Sequence, residues 1–359
     1  MRQNLQTLME SLTPKLKRSV RTLPKFLPLI SFLVPMIILY CIYPDSFEKT
    51  WKGRTYYIFF LWLLMLEMVL NWEELHETKL REVKSPRTIA FIIALFIPTL
   101  YVITANFYGL NNMIQNYASQ NLKMSDYFAS NMPVCIEYLI FAVLFITIVL
   151  LQYGFVGLKY YSISPILLTI VGSIYLIDNF YPEGAFTPFQ MIVPTTATLA
   201  AKVLTSMGYR VLWQGVIDGM PAYWFQDPNG RPSMLFKIAW PCSGIDSLLL
   251  YTVTILLFLK KSPIPKWHKV VYFVIGAGVT YFINVLRIVT IFIISTSGSL
   301  EAVMTFHDLY GPLYSVTWIV SYPLIMLGVE ALLGKIGNRK SALAQKAASE
   351  IQTKFASAA

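Results

Sequence analysis

Three residues in the last third of the chain have side chains that together could carry acyl transfer: Cys242, Arg287 and His307. Cys242 follows Pro241, and Pro is favoured in the first turn of a helix. If a helix opens there, Cys242, Ser243 and Gly244 present backbone N–H groups with no intrahelical acceptor. A thiol at that end meets the positive pole of the helix dipole, which favours the reactive thiolate. The same N–H groups could receive a developing oxyanion, and Gly244 leaves room for a peptide backbone to approach. The plainer reading of Cys242 is a small buried hydrophobe, as most free cysteines are. Asp246 stands four residues further on and shares the Cys242 face. It could hold Arg287, orient a base, or sit solvated at a rim; the orienting role is favoured. Arg287 has Asn284 three residues before it on one helix face. It reads as a donor to an oxyanion or substrate carbonyl, or as a structural cation paired with an acid on another helix. His307 lies in Phe306-His307-Asp308-Leu309-Tyr310-Gly311 and is either an acid–base partner for the thiol or an ordinary interfacial histidine. A nucleophile, a cationic stabiliser and an imidazole in one place describe acyl transfer.

The elements that must position these residues are membrane helices. The 359 residues are 56% hydrophobic and only 13% charged, with mean hydropathy +0.56. Soluble domains carry about 25% charge, so a water-soluble globule, a disordered chain and a collagen are excluded. The expected fold is an all-α polytopic integral membrane protein. A span needs about 20 apolar residues, and eight stretches qualify: Phe26–Tyr43, Thr55–Trp72, Thr88–Tyr108, Val134–Tyr153, Ser164–Tyr181, Cys242–Leu259, Val270–Ile294 and Pro312–Leu333. Phe186–Leu204 is also apolar, but its prolines and the Thr195-Thr196-Ala197-Thr198 run suggest an interfacial or re-entrant segment; whether it spans is left open. With an N-in/C-in path, 20 of the 29 Lys and Arg fall on the cytoplasmic side and 8 outside. That is the positive-inside pattern, so the net charge of +10 is a topology signal and no nucleic-acid partner is needed. Cys242, Arg287 and His307 then share the extracytoplasmic half, with Arg287 roughly 10 Å below the end of its span. His76 and His268 fall across the membrane, so if Cys242 needs an imidazole, His307 is the candidate.

Residues 1–25 place Leu5, Leu8, Met9, Leu12 and Leu16 at helical spacing beside Lys15, Lys17, Arg18 and Arg21, a basic amphipathic helix for the inner membrane face. They show no signal-peptide cleavage site. Residues 26–333 form the transmembrane domain, with 234–333 its chemical part, and 334–359 a loose helical cytoplasmic tail. Two long outer connections are expected, Gly109–Met132 and Pro182–Pro241. In the second, Ala222–Gln226 and Met234–Trp240 flank Asp227-Pro228-Asn229-Gly230, where Pro presets φ and Gly supplies a positive φ. A short hairpin leading into Cys242 follows. Glu67, Glu137 and Asp178 read as helix-packing or rim groups rather than a polar route. Cys41 and Cys135 read as packing residues, with a disulfide between them left open. No Cys/His cluster suggests a metal, and no cofactor is implied.

Trp240-Pro241-Cys242-Ser243-Gly244-Ile245, Asn284-Val285-Leu286-Arg287-Ile288 and Phe306-His307-Asp308-Leu309-Tyr310-Gly311 resemble, in order and separation, the three motifs of the exosortase/archaeosortase family. The resemblance covers about Met234–Leu333. It implies a membrane cysteine transpeptidase that cleaves a C-terminal sorting signal (a motif, a transmembrane helix and a basic tail) from surface proteins and transfers them to a membrane lipid. Carried onto this chain, Cys242 is the nucleophile, Arg287 the stabiliser and His307 the acid–base. Ser243, Gly244, Asp246, Asn284 and Asp308 are supporting or substrate-binding positions. The bacterial or archaeal subgroup stays open, with the N-terminal half favouring the archaeal. The rival reading is a transporter or non-catalytic membrane protein using Arg287, Glu67 and Asp178 as a polar path. A lipid- or glycosyl-transferase would want paired carboxylates, which the outer loops lack.

Overall fold

The fold is a helical bundle with one small sheet, seen here in a computed structural model. It describes residues 24–49, 51–76, 85–181, 190–231, 235–297 and 299–358; the side chains at 76, 261, 297, 308, 309, 312 and 337–358 lie outside that description. The amphipathic helix expected over 1–25 therefore falls almost wholly outside the described residues.

The helices are α1 (Pro24–Ile42), α2 (Thr55–Leu70), α3 (Pro86–Phe107), α4 (Leu110–Gln120), α5 (Asp126–Tyr153), α6 (Phe155–Tyr160), α7 (Ile163–Phe180), α8 (Val193–Ser206), α9 (Ile245–Lys261), α10 (Lys266–Ser297), α11 (Leu300–Thr305) and α12 (Gly311–Ala358). Each of the eight expected spans has a helix at its core. Six of them are long and apolar enough to cross a membrane: α1, α3, α5, α7, α10 and the Leu313–Ile336 part of α12. The other two expected spans are shorter. α2 has 16 residues and α9 has 17, about 24 and 26 Å at 1.5 Å per residue, against a hydrocarbon core of about 30 Å. The outward faces carry Ile37, Phe96, Leu100, Val274 and Leu324 exposed, as a lipid-facing surface requires.

α8 occupies the described part of the Phe186–Leu204 stretch. At 14 residues it reaches about 21 Å, short of a span. Gly109–Met132 was expected as a long connection rich in Asn, Gln and Ser. It is mostly helical: Gly109 turns the chain at φ +80° and α4 follows directly. The last helix runs unbroken from Gly311 to Ala358, so the tail continues the final membrane helix.

The sheet has three antiparallel strands in the order β1 (Arg210–Ile217), β2 (Met220–Gln226), β3 (Phe236–Lys237). The expected turn at Asp227–Gly230 forms, with Gly230 at φ +82° and its N–H donating to Asp227 O at 2.9 Å. β1 was not expected. It pairs with β2 across Asp218-Gly219, both at positive φ, +52° and +75°, the backbone a two-residue hairpin favours. A bulge between Trp213 and Val216 is met by Gly215 at φ +94°. Phe225 and Phe236 pack on Phe292 of α10, which ties the sheet to the bundle beside the chemical residues.

The main core runs through α1, α2, α3, α5, α7, α8 and the C-terminal half of α10. A second cluster, including Leu250, Tyr251, Ile319, Tyr322 and Met326, joins α9 to α12. There Gly276 lets α10 approach closely, because a Cβ would overlap the Tyr251 hydroxyl. Small residues at helix contacts serve membrane packing in this way.

Candidate active site

Cys242 does not open an α-helix. Trp240-Pro241-Cys242-Ser243 forms one 3₁₀ turn, and the Cys242 N–H donates to Ala239 O at 3.0 Å. That N–H is therefore spent, contrary to the expectation that it stays open. The break has a cause: Gly244 takes φ +97° and becomes the N-cap of α9, and a left-handed φ is cheap for glycine alone. The first α bond runs from Leu248 N–H to Gly244 O at 2.9 Å, so the open N–H groups of the helix belong to residues 245–247. Ser243 is fully buried, and its hydroxyl donates to Trp240 O at 2.5 Å. It stiffens the turn and faces away from solvent.

Asn284 locks this turn to α10. Its Nδ2 donates to Cys242 O at 3.0 Å. A Cβ at Gly244 would lie 2.9 Å from that Nδ2, so Gly244 is required both for its φ and for the space it leaves. Asn284 is 1% exposed, and its Oδ1 is buried with no hydrogen-bond partner. One helical turn further on, Arg287 Nη2 donates to His307 O at 3.1 Å. Its Nε is also buried without an acceptor and rests on Gly311, where a Cβ would come within 2.6 Å.

His307 was expected in an outer connection between spans, Ser295–Gly311. That segment is helical: α10 runs on to Ser297, and α11 and one π-helical turn, Phe306–Tyr310, lead into α12. Such turns place an extra residue in the helix and recur at functional positions. This one carries the imidazole, with Nε2 at 4.0 Å from Cys242 Sγ. The contact is long but in line with unliganded sites, whose proton-transfer distances shorten on binding. The Asp308 side chain lies outside the described residues. Asp246, on the first turn of α9, interacts electrostatically with Arg287 and with Asp178 of α7. The three expected chemical residues and Asn284, Ser243 and Gly244 are thus brought together, with Asp246 nearby on the Arg287 side.

His268, by contrast, pairs with Glu330 at 2.7 Å. It precedes Arg287 on the same helix by roughly 28 Å at 1.5 Å per residue. Glu67, Glu137 and Asp178 have structural partners. Glu67 accepts from the backbone N–H groups of Ile163 and Ser164 and from the Ser164 hydroxyl, at 2.8, 3.0 and 2.7 Å, and so caps α7 from another helix. Glu137 takes both ends of the Arg54 fork, at 2.8 and 3.1 Å. Asp178 pairs with Lys52 at 2.6 Å. Cys41 and Cys135 are both free, which closes the disulfide question. Among the described residues no group of three or more His, Cys, Asp or Glu is placed to hold a metal ion.

Sequence reasoning missed several residues around the thiol. Tyr281 and Thr196 share a hydrogen bond of 2.7 Å, and Thr196 also approaches Ser243 O at 3.5 Å. The spacing of Tyr281, Asn284 and Arg287, three residues each, was a readable sign that one helix face serves the site. Trp51, whose ring meets that of Trp240, had no such sign.

A thiol, an imidazole at its side and a guanidinium tied to the imidazole's own backbone can support attack on a carbonyl, charge stabilisation and proton transfer. The family model for transmembrane exosortases matches residues 51–322, about three quarters of the chain. The chain belongs to the transmembrane exosortase family. Searches of curated proteins and of solved structures return no match. Membership makes this exosortase a multi-pass membrane protein with a transpeptidase-like role, from a family that acts on proteins carrying sorting signals. The matched interval contains every described contact of the exosortase's Cys242, Arg287 and His307.

Proposed function

We propose that this exosortase is a cysteine transpeptidase whose chemistry runs on Cys242, Arg287 and His307, at the extracytoplasmic face of the cell membrane, with both termini inside. The observation that carries the reading is the 4.0 Å approach of His307 Nε2 to Cys242 Sγ, in a turn clamped by Arg287 on the His307 carbonyl. His307 takes the thiol proton, and the thiolate attacks the scissile carbonyl. The oxyanion forms beside Arg287, whose unspent donor capacity includes the buried Nε. Collapse expels the amine of the departing segment, which receives the proton from His307, and leaves a thioester on Cys242. An acceptor nucleophile then loses its proton to His307 and attacks the thioester, restoring the thiol. The substrate is a surface protein with a C-terminal signal of motif, transmembrane helix and basic tail. The acceptor is a lipid head-group amine, with water giving simple cleavage.

The test is co-expression with a tailed surface protein from the same genome, followed by mass spectrometry of the new C-terminus. The wild-type chain should yield a truncated product, with or without an added lipid group. Cys242→Ala should yield the full-length substrate. A truncated product from Cys242→Ala would sink the proposal.

A further inference from the structure

We propose that Trp51 is a positioning residue for Cys242, held in place by a strap at residues 51–54. The inference rests on the reading of Cys242 as the nucleophile. Three consecutive strap residues after Trp51 are pinned to α5 and α7. Lys52 Nζ reaches Asp178 Oδ2 and Asn179 Oδ1, each at 2.6 Å. Gly53 O accepts from the Tyr138 hydroxyl at 2.9 Å. Arg54 forks onto Glu137, which also accepts from Tyr57 at 2.9 Å. The strap backbone is unusual at two adjacent positions. Lys52 sits at φ +52°, a conformation non-glycine residues keep only where the surroundings enforce it. A Cβ on Gly53 would overlap Lys49 O and lie 2.6 Å from Ser46 O, so the chain crosses itself there with no space for a side chain.

This much constraint is poor economy if the strap serves stability alone, because buried ion pairs add little beyond what apolar packing would give. It does fix a position. The side chain so fixed is Trp51, whose ring meets Tyr175 at 5.3 Å and Trp240 at 5.3 Å, both edge-on. Trp240 is 0% exposed and belongs to the same 3₁₀ turn as Cys242. Edge-to-face pairs have a preferred geometry as well as apolar burial. An unbroken run of constrained contacts thus leads from α5 and α7, through the strap and two indoles, to the thiol. Asn284 holds the turn from α10 by its Cys242 carbonyl, and Trp51 holds it through the Trp240 ring.

The test uses the full chain in lipid nanodiscs, with Trp51→Ala, Trp51→Phe and Cys242→Ala. Two readouts are taken: iodoacetamide alkylation of Cys242 against pH, resolved by peptide mass spectrometry, and processing of the tailed substrate. Misplacement by about 1 Å can cost roughly 100-fold. Trp51→Ala should therefore lower kcat by about 10- to 100-fold with KM within about twofold, and displace the alkylation profile. Trp51→Phe, which keeps an aromatic edge with a shorter reach, should recover part of both. Wild-type kcat together with a wild-type alkylation profile in Trp51→Phe and Trp51→Ala would overturn the proposal. If Trp51→Ala does not fold, Trp51→Phe decides alone: a reduced kcat at an unchanged thermal midpoint supports it, and an unchanged kcat overturns it. The alkylation profile needs no substrate. If Cys242→Ala still processes substrate, the nucleophile reading fails, while alkylation still reports whether Trp51 sets the thiol's surroundings.

Discussion

Two regions of this exosortase hold buried polar groups in opposite ways. Between α2, α5 and α7, Arg54 meets Glu137, Lys52 meets Asp178, and Glu67 accepts three donors at the start of α7. Around the 3₁₀ turn, Asn284 Oδ1 and Arg287 Nε are buried with no partner, and the thiol and imidazole stand 4.0 Å apart. Similar residue types are present in both, so composition does not separate structure from site. Satisfaction does. A paired buried charge fixes geometry, and an unpaired buried polar atom costs free energy that an incoming group can recover.

That contrast can be broken by mutation. The largest effect is expected at Cys242→Ala, with processing down by about 1,000-fold or more and the thermal unfolding midpoint in nanodiscs unchanged. Its mirror is Arg54→Met, which strands Glu137 in the core. A loss of about 3–5 kcal/mol is expected, read as a lower unfolding midpoint and a poor yield of folded protein. Wild-type stability in Arg54→Met would erase the distinction between the two regions. Next comes Gly311→Ala. The new Cβ must displace Arg287 Nε, so a loss of about 100-fold in kcat is expected while the unfolding midpoint stays within a few degrees. Smaller still is Glu67→Gln. It keeps one acceptor oxygen for an α7 N–H but sets an NH2 donor against the other, for an expected cost of about 1–3 kcal/mol with processing within about twofold. A collapse of activity in Glu67→Gln would revive the polar-path reading that its capping role argues against.

The smallest effect is expected in the hairpin. Burial works against the Asp227 charge, but the Arg231 backbone N–H at 2.6 Å and guanidinium at 2.8 Å hold its carboxyl below the usual range. A carboxylate with a depressed folded value stabilises above its unfolded value, near 4, and that contribution is lost as pH falls through the folded value. Amide exchange at Gly230 and Arg231 should therefore quicken as pH falls below about 4, beyond the intrinsic pH dependence of exchange. Asp227→Asn should remove the added dependence. An identical profile in the variant would show that the turn stands without this pair.

Much of this was legible in the sequence because lipid imposes a simple rule: long apolar runs become helices. The Asp-Pro-Asn-Gly turn was legible for a local reason, since Pro and Gly dictate its dihedrals. Asp218-Gly219 carried an equally good hairpin signal, and β1 followed from it, but the turn's flanks are less regular, with Gly215 breaking the alternation. The helix α4 was hidden by its Asn and Gln content, which suggests a loop until its packing against α5 is known. At the site, residue types and order were readable, while the backbone beneath them was not. Pro241 argued for a helix start at Cys242, and the positive φ of Gly244 moved that start three residues on. The strap at residues 51–54 gave no signal because its meaning lies in partners more than eighty residues away.

The π-helical turn at Phe306–Tyr310 has a consequence for anyone drawing this segment as a helical wheel. Residues in an α-helix advance by about 100° each, and a wider turn resets that count. A wheel drawn without interruption from α11 into α12 assigns the imidazole to the wrong side, by about one residue's rotation. Phase must be counted separately above and below the turn. The same widening makes this a place where the chain can gain or lose a residue without shifting the register of Ile319, Tyr322 and Met326, while redirecting the imidazole itself.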